Sequence, residues 1–409
     1  MGKKRLKTEQ LIILVLFLAV ITLPGTLLFN DVGRRLPDDN RMAAPMPDLK
    51  KADGSFVTRT ELENFFNDNI GFRISAPRLD TRITYEMFGI MLDSGKLMGE
   101  NGNIFPGEDR RFPEMRAPHV LPKEELEENG RQIKAAADYF DSIDIPFLFI
   151  TIPNKEEVYP ELYPDTFIKR PEKSRMGQQV EWLKTNTNVD AYDMTEALRE
   201  QAVNFDGMLW YETKDSEHWN YMGAWYGYLE IMNQLKNYNP DLKLLDINDF
   251  DISVKREPFT NRSETYTFHG LYNTVYTLDY KPGWGCEQIG NGFDPWMPDD
   301  QLKIAGFPKG GSYYHFYNGE NEGTLVFFGD SYIYQFLLPY FSESFAHVYL
   351  FNIPTNYRIM RPILDLIGAD FVVLEIVERM YINGKFQYMV EEFADEVPVL
   401  KYSDTPRRN

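Results

Sequence analysis

The sequence has few of the residues on which several classes of protein depend. It contains a single cysteine, Cys286, so no disulfide can form within the chain and a zinc site built from cysteines is excluded. Basic residues are scarce too, because 43 Lys and Arg stand against 62 Asp and Glu, which gives a net charge of −19. Nucleic-acid surfaces need a basic stripe, so no nucleic-acid partner is expected. Next to Trp284 and Gly285, the lone cysteine is more typical of packing than of a nucleophile.

The sequence contains only one long apolar run, residues 11–29. These 19 residues carry no charge and are just numerous enough to span a bilayer as a helix, even with Pro24 and Gly25 among them. Basic residues directly before the run favour an N-terminus inside the cell and a remainder outside; they are Lys3, Lys4, Arg5 and Lys7. We therefore expect a membrane anchor within residues 1–30 and an extracytoplasmic domain at the cell membrane. A signal peptide or a buried core helix are the alternatives, although no small-residue cleavage site follows directly.

The rest of the chain is rich enough in apolar residues, at 43% of the total, to build a sizeable core. Residues 31–110 read as a linker and a membrane-proximal helical segment, in which Thr60 is a candidate helix cap. From residue 111 to 400 helical patterns alternate with short apolar runs of buried-strand type, interrupted by an irregular insertion over 240–320. This alternation predicts an α/β fold with a mostly parallel sheet and helices on both faces.

One of the buried-strand patterns, residues 324–329, leads directly into Gly329-Asp330-Ser331 and then into a helix. A serine at this point lies at the carboxyl edge of the sheet, where open α/β folds place their sites. The helix start offers backbone N–H groups that can stabilise an oxyanion, as an acyl-transfer nucleophile requires. Alternatively, Asp330 and Ser331 simply cap the helix.

A nucleophilic serine needs a base. Among five histidines, His218 stands out because it precedes an amphipathic helix and follows Asp215 by three residues. Asp215 can curl back and orient the imidazole, which is the role of a triad acid. Alternatively, His218 is a structural residue in a polar loop. His269 and His315 fall in the predicted insertion and could line a cleft.

Taken together, the two motifs resemble the alginate O-acetyltransferase group, the AlgJ/AlgX-like (DHHW-like) branch of SGNH hydrolase-like proteins. The Asp-x-x-His motif stands before Gly-Asp-Ser here, the reverse of the usual SGNH order, and the resemblance implies a circularly permuted domain. Further stretches that resemble the family are residues 39–47, 65–73, 95–105, 152–161 and 375–379.

By this resemblance Ser331 is the nucleophile, His218 the base and Asp215 the orienting acid. Many relatives have one residue between acid and histidine, which would place the acid at Ser216, and Glu217 is a further candidate. For the oxyanion and the substrate, the candidates are the residues around the serine and at neighbouring strand ends, together with aromatic residues that could stack on sugars: Gly329, Asp330, Tyr332, Asn352, Arg379 and Trp219. Arg379 could instead pair with Glu375.

These observations predict an extracytoplasmic O-acetyltransferase or acetylesterase that acts on a cell-surface polysaccharide through an acetyl-serine intermediate. No cofactor is expected, because the sequence shows neither a metal-ligand spacing nor a Gly-rich phosphate loop. The resemblance implies a multi-pass membrane acyltransferase as the partner that supplies acetyl groups. A purely hydrolytic carbohydrate esterase and a non-catalytic polysaccharide-binding protein remain the alternatives.

Overall fold

The computed structural model describes residues 8–26, 35–36, 41–52, 54–71, 73, 75–88, 96–106, 120–163, 173–214, 217–260, 267–289, 312–352, 360–381, 386 and 389–394. Within these ranges, no helix is both long enough and apolar enough to cross a membrane. The N-terminal helix ends at Thr26, so residues 27–29 of the predicted span lie outside the described ranges.

Twelve α-helices lie in the described part of the chain. They are α1 (Thr8–Thr26), α2 (Arg59–Asn69), α3 (Ser75–Phe88), α4 (Lys123–Ser142), α5 (Lys155–Val158), α6 (Arg175–Asn186), α7 (Thr195–Asn204), α8 (Tyr221–Leu235), α9 (Ser331–Phe336), α10 (Leu338–Ser342), α11 (Met360–Ile367) and α12 (Met389–Glu392).

The same ranges contain thirteen strands. They are β1 (Arg35–Leu36), β2 (Arg41–Met42), β3 (Lys96–Met98), β4 (Ile104–Pro106), β5 (Phe147–Ile152), β6 (Asp190–Asp193), β7 (Phe250–Thr260), β8 (Thr267–Tyr280), β9 (Glu287–Ile289), β10 (Ser312–Tyr317), β11 (Thr324–Gly329), β12 (His347–Asn352) and β13 (Phe371–Val377).

Seven of these strands form the central sheet, in the order β6-β5-β13-β11-β12-β10-β9. The five strands from β6 to β12 in this order are parallel to one another, and β10 and β9 add an antiparallel edge next to β12. The prediction of a mostly parallel sheet is therefore confirmed. Because the parallel strands all end at one edge, the segments that follow β5, β11, β12 and β13 meet there.

Side chains of the parallel strands alternate between two apolar cores, one on each face of the sheet. Along β11, for example, Leu325 and Phe327 enter one core, whereas Val326 and Phe328 enter the other. The first core is completed by α8 and α10, and the second by α4, α6 and α11. Helices therefore cover both faces, as the sequence predicts, and the strands read as continuous apolar runs because both sides are buried.

The chain divides into two compact units. One comprises the residues up to Asp93 together with Pro258–Leu271, and the other comprises Ser94–Glu257 and the residues from Tyr272 onwards, which include the whole central sheet. In the first unit, α2 is capped by Thr58 rather than by Thr60. The Thr58 hydroxyl accepts from the Glu61 N–H at 3.3 Å while the Glu61 carboxylate accepts from the Thr58 N–H at 2.8 Å. This reciprocal capping box fixes the helix start two residues earlier than predicted.

Where the sequence predicts an irregular insertion over 240–320, the structure contains long strands. The 11-residue β7 pairs with the 14-residue β8 in a separate two-stranded sheet, and β9 and β10 join the edge of the central sheet. Most β7 side chains are exposed, and the alternation of apolar and polar residues by which strands are recognised covers only its first half, where Phe250, Ile252 and Val254 are the apolar members.

Candidate active site

Ser331 lies at the carboxyl edge of the central sheet, at the first position of α9. The strand before it, β11, is buried between β12 and β13 and ends at Gly329. Asp330 then caps the helix, and its Oδ1 accepts a hydrogen bond from the Tyr332 N–H at 2.9 Å. Because the helix begins directly after the strand, the half-buried Ser331 side chain is presented at this edge.

The turn that presents Ser331 is fastened to the neighbouring strand β13. Glu375 is 1% exposed, and its Oε2 accepts from the Asp330 N–H at 2.9 Å. In return, Asp330 Oδ2 accepts from the Val377 N–H at 3.1 Å. A Cβ at Gly329 would stand 2.6 Å from Glu375 Oε2, so only glycine allows this approach. The predicted site residues Gly329 and Asp330 therefore hold the serine in position.

His218 reaches Ser331 across 113 residues of chain, with its Nε2 2.9 Å from the Ser331 Oγ. The loop that carries it is closed by a single antiparallel bridge between Trp210 and Trp219. Asn220 completes the loop by donating its N–H to Leu209 O at 2.9 Å and by capping α8 through its side-chain oxygen. The loop therefore has a fixed exit into a helix, which limits the positions that the imidazole can adopt.

Tyr332 connects this loop to the serine turn. Its fully buried hydroxyl donates to Glu217 O, next to His218, and accepts from Trp210 Nε1 at 3.2 Å. It also accepts from Arg379 Nη1 at 3.1 Å, and the guanidinium lies 4.9 Å from the centre of the Tyr332 ring. Burial raises the pKa of the Tyr332 phenol, although Arg379 acts in the opposite direction. The hydroxyl is therefore neutral, and it joins Glu217, Trp210 and Arg379 through three hydrogen bonds.

Arg379 follows β13, at the same edge as Ser331. Burial disfavours its charge, but Tyr332 and the carboxylates of Asp330 and Glu217 outweigh burial and raise the pKa of the guanidinium. The residue therefore stays charged. One nitrogen of its guanidinium, Nη1, is thus bonded to Tyr332, although the sequence predicts that Arg379 binds substrate.

Lys155 is a buried cation that holds the histidine loop from its other end. It comes shortly after β5 and is 1% exposed. Its Nζ donates to Tyr211 O at 2.9 Å, to Glu212 O at 3.0 Å and to Ile104 O of β4 at 3.1 Å. Burial lowers the pKa of this ammonium to about 7, although Glu212 and Glu156 raise it. The sequence gives no signal for this role, because the partners are backbone carbonyls.

Of the other predicted site residues, Asp215 and its alternative Ser216 lie outside the described residues. Asn352 ends β12 and is paired in register with Gly329, so its half-buried side chain lies at the same sheet edge as Ser331. Trp219 is fully buried, with its ring centre 4.9 Å from that of Tyr332. Neither aromatic ring is exposed for stacking, and both support the site from within the core.

Two further side chains that could be reactive, those of His315 and Cys286, are held in the structure as follows. His315 is fully buried, and its Nε2 is 3.0 Å from His347 Nδ1 on the neighbouring strand. Burial, together with the charge of Glu343, raises the pKa of the Cys286 thiol to about 11. A thiol with such a high pKa is a poor nucleophile, which agrees with its interpretation as a packing residue.

No family model and no curated protein matches this chain. Among solved structures, it is similar to Bacillus cereus PatB1 with a sulfonyl adduct, at TM-score 0.50 and 12% identity over 72% of this chain and 99% of that one. It is also similar to a DHHW family protein from Eubacterium siraeum, at TM-score 0.47 and 14% identity over 73% and 96% of the two chains. The O-acetyltransferase domain of Pseudomonas putida AlgJ gives TM-score 0.44 and 15% identity over 73% and 98%.

A DHHW family protein and an AlgJ domain, from the group that the sequence resembles, are thus among the solved structures to which this chain is similar. At 12% identity, the likeness to PatB1 shows a shared fold and nothing about the reaction.

Proposed function

We propose that this chain is an O-acetyltransferase or acetylesterase in which Ser331 is the nucleophile and His218 the base. The observation that supports the proposal best is the 2.9 Å distance between the Ser331 Oγ and the His218 Nε2. This distance lies within the range that direct proton transfer between a nucleophile and its base requires. The pair lies at the carboxyl edge of a parallel sheet, where α/β enzymes place their sites.

The reaction follows from these two groups. His218 takes the hydroxyl proton as Ser331 Oγ attacks the carbonyl carbon of an acetyl ester, and the protonated imidazole then gives the proton to the departing alcohol. The acetyl group remains on Ser331 as an ester. A sugar hydroxyl next attacks this ester while His218 takes its proton, and the proton returns to Ser331 Oγ as the acetylated sugar leaves. The Ser331 backbone N–H is the proposed oxyanion donor, and Asp215 the proposed orienting acid.

Mass spectrometry of the intact protein and of its peptides after digestion tests the covalent step. After brief incubation with p-nitrophenyl acetate and acid quenching, we expect one acetyl group on the peptide that contains Ser331. Ser331→Ala should remain unmodified, whereas Ser253→Ala, a matched change of an exposed serine on β7, should still be acetylated. Equal labelling of the Ser331→Ala chain would exclude Ser331 as the nucleophile, and no labelling of the parent chain would favour a binding protein.

The second step distinguishes transfer from hydrolysis. Given an acetyl-ester donor and an oligosaccharide, a transferase yields acetylated sugar, whereas an esterase releases acetate alone. We propose that polysaccharide is the physiological acceptor, since the resemblance to alginate O-acetyltransferases points to one, and that a multi-pass membrane acyltransferase supplies the acetyl group. Product analysis by mass spectrometry decides between transfer and hydrolysis.

The proposed location is the outer side of the cell membrane. It rests on the apolar run at residues 11–29 and on the basic residues before it. The side chains of α1 support membrane contact, because Ile13, Leu16 and Val20 are each more than 60% exposed. Fractionation of cells that produce the full chain, followed by protease treatment of intact spheroplasts, tests the location. Recovery in the soluble cytoplasmic fraction would contradict it.

A further inference from the structure

A cavity of about 620 Å³ is lined in part by residues of α8 and α9, the helices that follow His218 and begin at Ser331. Of the described residues that line it, seven of eleven are aromatic, and we call it the aromatic cavity. The lining residues that matter for its chemistry are Tyr211, Lys214, Tyr221, Trp284, Gln288 and Tyr334. Its volume falls in the range of cavities that hold small organic ligands.

The segments that carry His218 and Ser331 also form the walls of the aromatic cavity. Tyr334 follows Ser331 by three residues in α9, so the two side chains lie on the same side of the helix. Tyr221 begins α8 three residues after His218, and its ring centre is 4.2 Å from that of Phe336 in α9. The cavity is therefore lined by a residue three positions after each member of the proposed catalytic pair, Tyr334 after Ser331 and Tyr221 after His218.

The aromatic side chains of the cavity are both accessible and held in place. Trp284 is 38% exposed and Tyr334 is 45% exposed. Tyr334 stacks on Tyr314 with ring centres 4.0 Å apart, and Trp284 stacks on Tyr280 at 4.7 Å. Fixed rings lose little conformational freedom on binding and offer apolar area to the C–H faces of sugar rings.

The polar groups of the cavity indicate what charge a ligand carries. No carboxylate is among the described lining residues, although the chain as a whole has a net charge of −19. Lys214 is the only cation among them; it is exposed and lies 5.6 Å from the centre of the Tyr211 ring. One ammonium group and the Gln288 amide suit the hydroxyl groups of a sugar, whereas a polyanionic chain needs several cations.

We propose that the aromatic cavity binds the acceptor as a neutral sugar chain, with its rings against Trp284 and Tyr334 and its hydroxyl groups at Lys214 and Gln288. Only the identification of this sugar chain as the acceptor rests on the proposed function, because binding itself does not require Ser331 to react.

Calorimetric titration of the full chain in detergent tests the proposal. The experiment uses Ser331→Ala protein, so that neither turnover nor its absence affects the result. The probes are hexasaccharides of neutral β-glucan, chitin, mannan and α-glucan, together with the hexamer of galacturonic acid as an anionic counterpart. We expect at least one neutral hexamer to bind more tightly than the anionic one. Failure of all neutral probes, or tighter binding of the anionic hexamer, would overturn the proposal.

Variants of the exposed Tyr334 then locate the site. Tyr334→Ala should weaken binding of the neutral hexamer on the order of tenfold, whereas Tyr334→Phe, which keeps the ring, should bind within about twofold of the parent. Trp284→Ala should weaken binding to a similar degree. The control is Phe56→Ala, because Phe56 is 72% exposed and lies outside the cavity lining. Unchanged affinity in both alanine variants of the cavity would disprove the location.

The two proposals can fail separately. A chain that binds the neutral hexamer through Trp284 and Tyr334 but shows no acetyl-Ser331 retains the sugar site and loses the enzymatic function. A chain that forms acetyl-Ser331 but binds no neutral hexamer retains the catalytic pair and loses this acceptor.

Discussion

The carboxylate of Glu375 occupies the space that a side chain at position 329 would need, since a Cβ there would stand 2.6 Å from Glu375 Oε2. The same oxygen accepts the N–H of Asp330 at 2.9 Å. The absence of a side chain at Gly329 and the position of Ser331 are therefore linked through one buried carboxylate.

Gly329→Ala should displace Glu375 and with it the turn that leads to Ser331. We expect a loss of about 1–3 kcal/mol in the free energy of unfolding, because the added methyl group overpacks a buried contact. Acetyl-ester turnover should fall as well. Urea unfolding and steady-state kinetics measure the two effects. Gly329→Ala should cost less in a Glu375→Ala background than in the parent, because the carboxylate that the methyl group meets is gone, and an equal cost in both backgrounds would contradict the steric explanation.

Ser331 and His218 should behave as one functional unit. Each single change to alanine should lower kcat/KM for p-nitrophenyl acetate by about a hundredfold to ten-thousandfold, because neither group activates the substrate alone. The double variant should lose little more than Ser331→Ala, since the base has no function without its nucleophile. Steady-state kinetics of the four proteins measure this. Multiplicative losses would show that the two residues act independently.

Tyr332→Phe should remove the hydrogen bond between α9 and the loop that carries His218, while the aromatic ring still fills the core. It leaves Glu217 O without its donor and Trp210 Nε1 and Arg379 Nη1 without their acceptor, at an expected cost of about 1–3 kcal/mol in unfolding free energy. We also expect kcat to fall about tenfold to a hundredfold, because the imidazole is less well positioned. Tyr192→Phe, which removes a hydroxyl that bonds Glu230, is the control and should keep kcat. Equal kcat in both variants would contradict a positioning role for Tyr332.

Lys155 should make stability depend on pH. Burial lowers the pKa of its ammonium in the folded chain to about 7, against a usual value of 10.5. Between these pH values the unfolded chain binds one more proton than the folded chain, so this residue makes stability rise with pH. Below pH 7 both states are protonated and its contribution is constant.

The experiment compares unfolding free energies at pH 7, 8 and 9. The difference between the parent and Lys155→Met should grow by up to about 1.4 kcal/mol per pH unit. Lys134→Met removes an exposed lysine that pairs with Asp138, and its difference from the parent should stay constant. Parallel profiles for the parent and Lys155→Met would show that the ammonium titrates near its usual pKa.

The sequence predicts the central sheet well because both faces of each parallel strand are buried, which leaves apolar runs such as β5, β11 and β13. It also predicts that a serine follows β11 at the sheet edge. It misses β7 and β8, because these strands pair only with each other and most β7 side chains are exposed, so burial does not impose a regular pattern along their whole length.

Site residues were predicted unevenly for a related physical reason. Residue type and spacing indicate chemistry, and so they suggested Ser331 and His218. Burial decides whether an aromatic ring can meet a ligand, and burial depends on distant segments. The sequence therefore suggests Trp219 and Tyr332 as substrate contacts, whereas both are fully buried in the fold and Tyr334 is exposed. The roles of Asp215, Asn352 and Arg379 remain predictions.

The proposed nucleophile and the residue that holds the histidine loop are consecutive in the sequence, as Ser331 and Tyr332. A displacement at the start of α9 therefore alters both the position of the attacking oxygen and the hydrogen bond that holds the loop of its base. A single substitution in this turn is thus expected to affect the proposed nucleophile and its base together.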